Sequence, residues 1–380
     1  MRKFYALLIS ILLIYQPSDA QVWQWSKNAG NFHSHLNGWN RIPGYGVATD
    51  QFNNLYSIGT FIDTLNLVDT TIRSIGASPG TKNLFIVKYD ESGYRQWIKV
   101  MQGVFSFDES RVANSTIRVN SEGDIIFSGE ARDGTLLGQP LNDWYFLCKM
   151  KQDGTLVWVR TFRTDVRFTL DDADQIYVHL AVVGNNAGNF GTQALSPINS
   201  YAVGKLDTDG VTQWVKQYAS SSAFNIQNPT VEVSPSGSEL LFSCALTDAV
   251  TLEGTTLPVF SDQSILVRLS SIDGSLKKII EMRTNEQARI THAQWATDTT
   301  IIFSFSRYIT NNNPTATVNN LPIPLNLTIN GAEYIALVAI DTAATEVKWV
   351  QKIFCTEPVS GSSHTKAHCI AVKNNNVYVA

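Results

Sequence analysis

The stretch LFIVKYDESGYRQWIKV, Leu84 to Val100, returns as YFLCKMKQDGTLVWVRT from Tyr145 to Thr161 and as YAVGKLDTDGVTQWVKQ from Tyr201 to Gln217. Each copy is an apolar run of strand length, a polar turn and a second strand centred on tryptophan. Gly93, Gly154 and Gly210 each stand four residues ahead of Trp97, Trp158 and Trp214. Two degenerate copies follow, ILVRLSSIDGSLKKIIE from Ile265 with Lys278 in the tryptophan position, and IALVAIDTAATEVKWVQ from Ile335 with Trp349. Fixed self-similarity of this kind marks a repeat architecture.

A second half-unit precedes each copy: GVATDQFNNLYSIG from Gly46, IRVNSEGDIIFSG from Ile117, TLDDADQIYVHL from Thr169, VEVSPSGSELLFS from Val231 and AQWATDTTIIFSF from Ala293. Each reads as a short strand, a turn of Asp, Asn, Ser or Gly, and a second strand, so that hairpin-type turns join four strands per unit. The tryptophan positions lie 61, 56, 64 and 71 residues apart, and no helical periodicity interrupts them. Tandem four-stranded units without helices predict an all-β fold, a β-propeller of four-stranded antiparallel blades. A β-sandwich array would also supply strands and turns, but not the regular Gly and Trp of the last strand.

Five complete blades are expected, Gly46 to Lys99, Ile117 to Arg160, Thr169 to Lys216, Val231 to Ile280 and Ala293 to Gln351, with partial strands at the termini. VWQWSKNAG from Val22 reads as an orphan fourth strand carrying Trp25, placed to complete the last blade and remove exposed edges. HCIAVKNNNVYVA, from His368, opens another unit and stops at Ala380 inside its second strand. The expectation is a repeat domain over residues 21–380 truncated at its C-terminus, with six or more blades in the full protein.

The first 20 residues read as a signal peptide. Met1-Arg2-Lys3 precedes an apolar run from Tyr5 to Tyr15, and Ser18-Asp19-Ala20 supplies small residues before a cleavage point at Gln21. The apolar run is too short to cross a bilayer, and no later segment serves as a transmembrane span. With 44% hydrophobic and 16% charged residues the mature chain can build a large core, and its net charge of −4 without basic runs argues against nucleic acid as a partner.

The unit from Asn53 to Phe61, NNLYSIGTF, followed by Leu84 to Trp97, resembles the bacterial secreted β-propeller repeat known as the SBBP repeat. The resemblance covers most of residues 44–380 and implies an exported or cell-surface scaffold, with no catalytic residues to carry over. A weaker likeness to quinoprotein propellers rests on Asp90, Gly93 and Trp97. The adjacent cysteine pair typical of those enzymes is missing.

Candidate chemistry is sparse, and no catalytic, cofactor-binding or metal-binding residues are assigned. The repeat tryptophans read as wedges between blades, and Asp90, Asp207, Asp209 and the turn glycines as turn formers. Calcium binding at Asp207-Thr208-Asp209-Gly210 lacks further oxygen ligands. Lys88, Lys149, Lys205 and Arg268 share one place in the third strand; a channel-lining ring is possible in principle, but snorkelling side chains at a strand end are the expectation. His33, His35, His364 and His368 sit in connections without a metal-binding spacing. GNNAGNFG, Gly184 to Gly191, reads as a surface turn, and Cys148 and Cys244 as buried structural residues, with a Cys355–Cys369 disulfide left open.

The variable material lies between the second and third strands: residues 62–82, 132–143, 183–199, 247–262 and 308–332. Loops on a rigid scaffold carry specificity. The expected function is therefore a secreted or cell-surface binding or adhesion scaffold contacting a protein or glycan through a loop-bearing rim. The alternative is a propeller hydrolase or lyase acting on extracellular polysaccharide, which clustered carboxylates of perturbed pKa at the axis would favour.

Overall fold

The computed structural model describes residues 44–75, 82–101, 104–106, 117–132, 135–182, 188–219, 230–246, 249–257, 263–284, 289–308, 315–325, 333–354, 370–373 and 376–379. Within them the chain is all-β. Blade 1 comprises β1 (Gly44–Thr49), β2 (Leu55–Ile62), a small hairpin of β3 (Thr64–Leu67) and β4 (Thr70–Arg73), then β5 (Lys82–Tyr89) and β6 (Arg95–Met101). Blade 2 comprises an accessory β7 (Val104–Ser106), β8 (Ile117–Val119), β9 (Ile125–Arg132), the hairpin β10 (Thr135–Leu136) and β11 (Gln139–Pro140), β12 (Tyr145–Met150) and β13 (Leu156–Phe162). Blade 3 comprises β14 (Val166–Leu170), β15 (Ile176–Val182), the hairpin β16 (Asn189–Phe190) and β17 (Gln193–Ala194), β18 (Ser200–Leu206) and β19 (Thr212–Ala219).

Blade 4 comprises β20 (Val231–Val233), β21 (Glu239–Leu246), the hairpin β22 (Val250–Leu252) and β23 (Thr255–Leu257), β24 (Gln263–Ser270) and β25 (Leu276–Thr284). Blade 5 comprises β26 (Arg289–Thr297), β27 (Thr300–Tyr308), the hairpin β28 (Ala316–Val318) and β29 (Leu321–Ile323), β30 (Glu333–Asp341) and β31 (Val347–Phe354). A final pair, β32 (Ile370–Lys373) and β33 (Asn376–Val379), opens a sixth blade. Every blade is an antiparallel meander in chain order, as in β1-β2-β5-β6 and β14-β15-β18-β19. The segments 22–27 and 355–369, with Trp25, Cys355, Cys369 and all four connection histidines, lie outside the described residues.

Side-chain alternation explains the sequence pattern. Blades 2 to 5 are covered on both faces by their neighbours, so their middle strands read as continuous apolar runs; all seven residues of β15 are buried. The fourth strand is at the circumference, and β6, β13 and β19 mix exposed and half-buried positions. The core is correspondingly a series of inter-blade layers. Ile58, Ile86, Phe127 and Phe146 join blades 1 and 2, and Leu147, Phe168 and Val178 join blades 2 and 3. Val203, Phe242 and Val267 join blades 3 and 4, and Leu266, Phe303 and Val338 join blades 4 and 5. Ile302, Leu337 and Ala339 pack with Val372 and Val377 of the sixth blade.

The segments expected to be variable loops are instead built around a hairpin in each blade. In blades 2 to 5 the hairpin reaches back onto the preceding blade. Phe190 lies 6.0 Å, centroid to centroid, from Phe162 at the end of β13, and β28 pairs directly with β25, extending blade 4 to six strands. Of the stretch read as a surface turn, residues 184–187 lie outside the described residues, and the described part, 188–191, is no mere surface turn, because Phe190 is fully buried in the layer between blades 2 and 3. Three hairpins turn on two consecutive residues of positive φ, Leu137-Gly138 (49° and 85°), Glu253-Gly254 (44° and 83°) and Asn319-Asn320 (46° and 66°). This is the turn whose twist matches the flanking strands.

An antiparallel meander sends its turns to alternate ends, so the molecule has two unlike rims. One carries the tight turns between strands one and two and between strands three and four. The other carries the small hairpins and the crossings to the next blade.

Candidate functional site

On the turn rim the repeat residues lock one blade to the next. Asp90 accepts hydrogen bonds from the backbone N–H of Ser92 (3.0 Å) and Tyr94 (2.8 Å) and from Gln96 Nε2 (2.7 Å). Asp207 repeats the arrangement with Asp209, Val211 and Gln213. Gly93, Gly154 and Gly210 have φ of 77°, 82° and 71°, as these turns require. Asp207 therefore serves the turn, with both oxygens committed to its own loop.

The tryptophans cross to the following blade. Trp97 Nε1 donates to Gln152 O at 2.8 Å, Trp158 Nε1 to Thr208 O at 3.2 Å and Trp214 Nε1 to Ser271 O at 3.4 Å. The acceptor is each time a carbonyl in the next blade's turn between strands three and four. The turn glycine admits the ring or its neighbour: a Cβ on Gly210 would meet Trp158 at 3.1 Å, and one on Gly274 would meet Trp214 at 2.8 Å. The cation two residues beyond each tryptophan joins in. Arg160 Nε donates to Gly210 O at 2.9 Å, and the Lys99 stem lies against Gly154.

Blade 4 has Lys278 where the tryptophan belongs, and Arg268 takes over its role. Its guanidinium donates a short hydrogen bond to Thr342 O, the turn carbonyl of blade 5. It also lies 5.5 Å from the centre of the Trp295 ring and pairs with Glu239 at 2.6 Å. The other third-strand cations are held in the same layer. Lys88 sits over the Tyr56 ring at 5.2 Å and Lys205 over Tyr177 at 5.3 Å, each between its cross-strand tyrosine and tryptophan. Lys149 is buried against the buried Asp124 at 3.2 Å. These cations neither ring a channel nor snorkel at a strand end. The reason is local: a tyrosine stands directly across the strand pair from Lys88 and Lys205, and a carboxylate two positions from the cross-strand partner, Asp124 or Glu239, meets Lys149 and Arg268.

The innermost strands meet at the axis. Register with the second strand makes Ala48, Arg118, Thr169, Glu232 and Gln294 one layer. Arg118 approaches Glu232 at 3.9 Å, and Thr169 Oγ1 donates to Glu232 Oε2 at 3.5 Å. Burial raises the Glu232 pKa, opposed by Arg118 and Thr169. This layer offers a single carboxylate, and among the described residues no group of three His, Cys, Asp or Glu side chains is placed to hold a metal ion. Cys148 and Cys244 are buried free thiols.

The hairpin rim carries a cleft of about 260 Å³ lined by Asn142, Asp143, Trp144 and Arg163. Arg163 Nε donates to Asp143 Oδ1 at 3.3 Å, and Thr161 Oγ1 to Asp143 Oδ2 at 3.4 Å. The Arg163 stem rests beside Gly188, whose added Cβ would lie 3.2 Å away. Trp144 is 52% exposed. Sequence reasoning fixed on the repeat tryptophans and passed over this residue. The available signal was that Trp144 lies outside the repeat position.

No family model matches the sequence, and no curated protein matches it. Similar solved structures include BamB from Moraxella catarrhalis, at 11% identity over 88% of this chain and 81% of that chain, with a TM-score of 0.37. A member of the DUF4221 family from Bacteroides vulgatus matches at 8% identity over 93% and 91%, with a TM-score of 0.36. Virginiamycin B lyase from Staphylococcus aureus matches at 11% identity over 82% and 96%, with a TM-score of 0.30. These are β-propeller proteins. Five sheets, each built on a four-stranded antiparallel meander, and the inter-blade layers between them make this chain a β-propeller.

Proposed function

We propose that this chain is a secreted or cell-surface binding scaffold that engages a protein or glycan through its hairpin rim. The observation that carries the reading is the division between the rims. The turn rim repeats one constellation of Asp cap, Tyr or carboxylate, cation and Trp, and those groups join blade to blade. The hairpin rim holds hairpins of common form and unlike tips, Val68-Asp69, Leu137-Gly138, Gly191-Thr192, Glu253-Gly254 and Asn319-Asn320. Unlike side chains on a rigid, repeated frame are what a recognition surface needs. The leader-like residues 1–20 and the resemblance to secreted propeller repeats support an extracellular setting, and a repeat domain over 21–380 fits both. The polysaccharide hydrolase or lyase reading calls for clustered carboxylates at the axis, and the described axial layer supplies Glu232 alone.

The test is binding of the purified mature chain to extracellular-matrix proteins, glycan arrays and intact cells. Saturable binding that weakens when the tip residues 253–254 and 319–320 are exchanged together for Asn-Gly is expected, since Asn-Gly keeps the turn and changes the surface. Absence of binding to all three surfaces would overturn the reading.

A further inference from the structure

The position of Trp144 is anomalous within the repeat. Register with the third-strand cation makes it equivalent to Asn83, Ser200, Gln263 and Tyr334. Those four side chains are each 1% exposed or less, at the first or second residue of β5, β18, β24 and β30. In blade 2 the third strand β12 begins only at Tyr145, past this position, and Trp144 is exposed on the hairpin rim. Trp97, Trp158 and Trp214 are committed to blade docking, and Trp295 is buried beside Arg268. Trp144 is the most exposed of the described tryptophans, ahead of Trp349 at 39%.

Its companions define the ligand chemistry. Asp143 offers acceptors, Asn142 both donors and an acceptor, and Arg163 a fork of donors. Asp143 and Arg163 face each other and cancel, so the described lining carries no net charge with which to select an ion. A half-exposed indole beside a set of donors and acceptors complements a pyranose, which has an apolar C–H face and an equatorial belt of hydroxyls. At about 260 Å³ the cleft lies below the 300–1,000 Å³ typical of sites for larger ligands, which limits it to about one ring. The geometry points to Asn142, Asp143, Trp144 and Arg163 as a subsite for one neutral sugar ring of an extracellular glycan. This rests on the hairpin-rim reading above and names its ligand class.

The experiment applies the mature chain to an array of neutral, N-acetylated and uronic-acid glycans, then titrates the methyl glycoside of the preferred terminal sugar while following tryptophan fluorescence. Binding to a neutral or N-acetylated pyranose is expected, weakened about ten-fold or more by Trp144→Ala, less by Trp144→Phe and not at all by Trp349→Ala. Because Trp144 is half exposed, Trp144→Ala retains the wild-type melting temperature, which separates loss of binding from loss of fold. Glycan binding unchanged by Trp144→Ala overturns the proposal. Salt-sensitive binding confined to uronic acids also overturns it, because the ligand would then be an anion read by Arg163. If the chain binds matrix protein or cells but no glycan, the subsite falls and the rim reading stands; if it binds nothing, both fall.

Discussion

Trp158 shows how much one repeated side chain contributes. It is 9% exposed, packs on Gly210 of the next blade and donates to Thr208 O. Trp158→Ala is expected to cost roughly 3–5 kcal/mol, the range for deleting a buried aromatic ring. Trp158→Phe should cost less, since it keeps most of the ring and loses the N–H···O bond, worth about 1 kcal/mol. Denaturant unfolding monitored by far-UV circular dichroism checks both; a Trp158→Ala protein as stable as wild type would show that the ring holds nothing together. Arg268 makes the complementary case. A guanidinium from the third strand reaches the same turn carbonyl that an indole from the fourth strand reaches elsewhere. The joint thus conserves a donor aimed at that carbonyl, and the residue type supplying it varies.

At the scale of the element, the turn between strands three and four is both a hairpin and a socket for the preceding blade. Gly274, in this turn of blade 4, and Gly237, in the same blade's turn between strands one and two, separate these roles. Their φ values are nearly the same, 69° and 71°, but a Cβ on Gly274 would lie 2.8 Å from Trp214, whereas one on Gly237 would have nothing within 4 Å. Gly237→Ala should cost only the left-handed strain of about 1–2 kcal/mol. Gly274→Ala carries the same strain and must also displace Trp214, so its loss of stability should be larger by at least about 1 kcal/mol. Equal melting temperatures for the two variants would mean that the socket yields freely and that the Trp–Gly contact is incidental. Parts of this joint are written in the sequence. Asp90-x-x-Gly93 and Asp207-x-x-Gly210 announce the turn, and Trp97-x-Lys99, Trp158-x-Arg160 and Trp214-x-Lys216 place a cation beside every docking indole. The small hairpins, with two-residue tips such as Glu253-Gly254 and Asn319-Asn320, read in the sequence only as variable loops. Their polar Thr- and Asn-rich composition reads as loop, because the apolar residues that anchor them, Phe190, Leu252 and Val318, find their partners on the preceding blade.

For the molecule as a whole, stability should depend on pH through His179. This residue is buried in the layer between blades 3 and 4, with ring centroids 5.6 Å from Tyr201 and 5.2 Å from Phe242. Burial, assisted by the charge of Arg167, lowers its pKa from 6.5 to about 3. Between those values the unfolded chain takes up a proton that the folded chain refuses. The contribution of neutral His179 is therefore fully present above pH 6.5 and is lost progressively as the pH falls toward 3. From pH 8 to pH 5 the loss should be about 2 kcal/mol. His179→Phe should remove that part of the acid sensitivity while keeping the ring volume, and unfolding curves at pH 8 and pH 5 measure the difference. An unchanged pH dependence in the variant would place the acid-sensitive group elsewhere.

The blade count, the strand order within a blade and the docking role of the tryptophans could all be read along the chain. Each depends on residues close in sequence, on period-two alternation, turn chemistry and a fixed Gly-to-Trp spacing, and these survive without knowledge of any distant partner. The two unlike rims, the backward clasp of the hairpins, the takeover by Arg268, the seating of Lys88 and Lys205 on tyrosine rings and the exposure of Trp144 could not be read in that way. These features arise between blades, or from a shift of one or two residues in where a strand begins. The physical reason is that a blade has no stable face of its own: what a side chain does is fixed by the neighbouring blade laid against it, and that contact spans about 50 residues or more of sequence, as between Trp158 and Thr208.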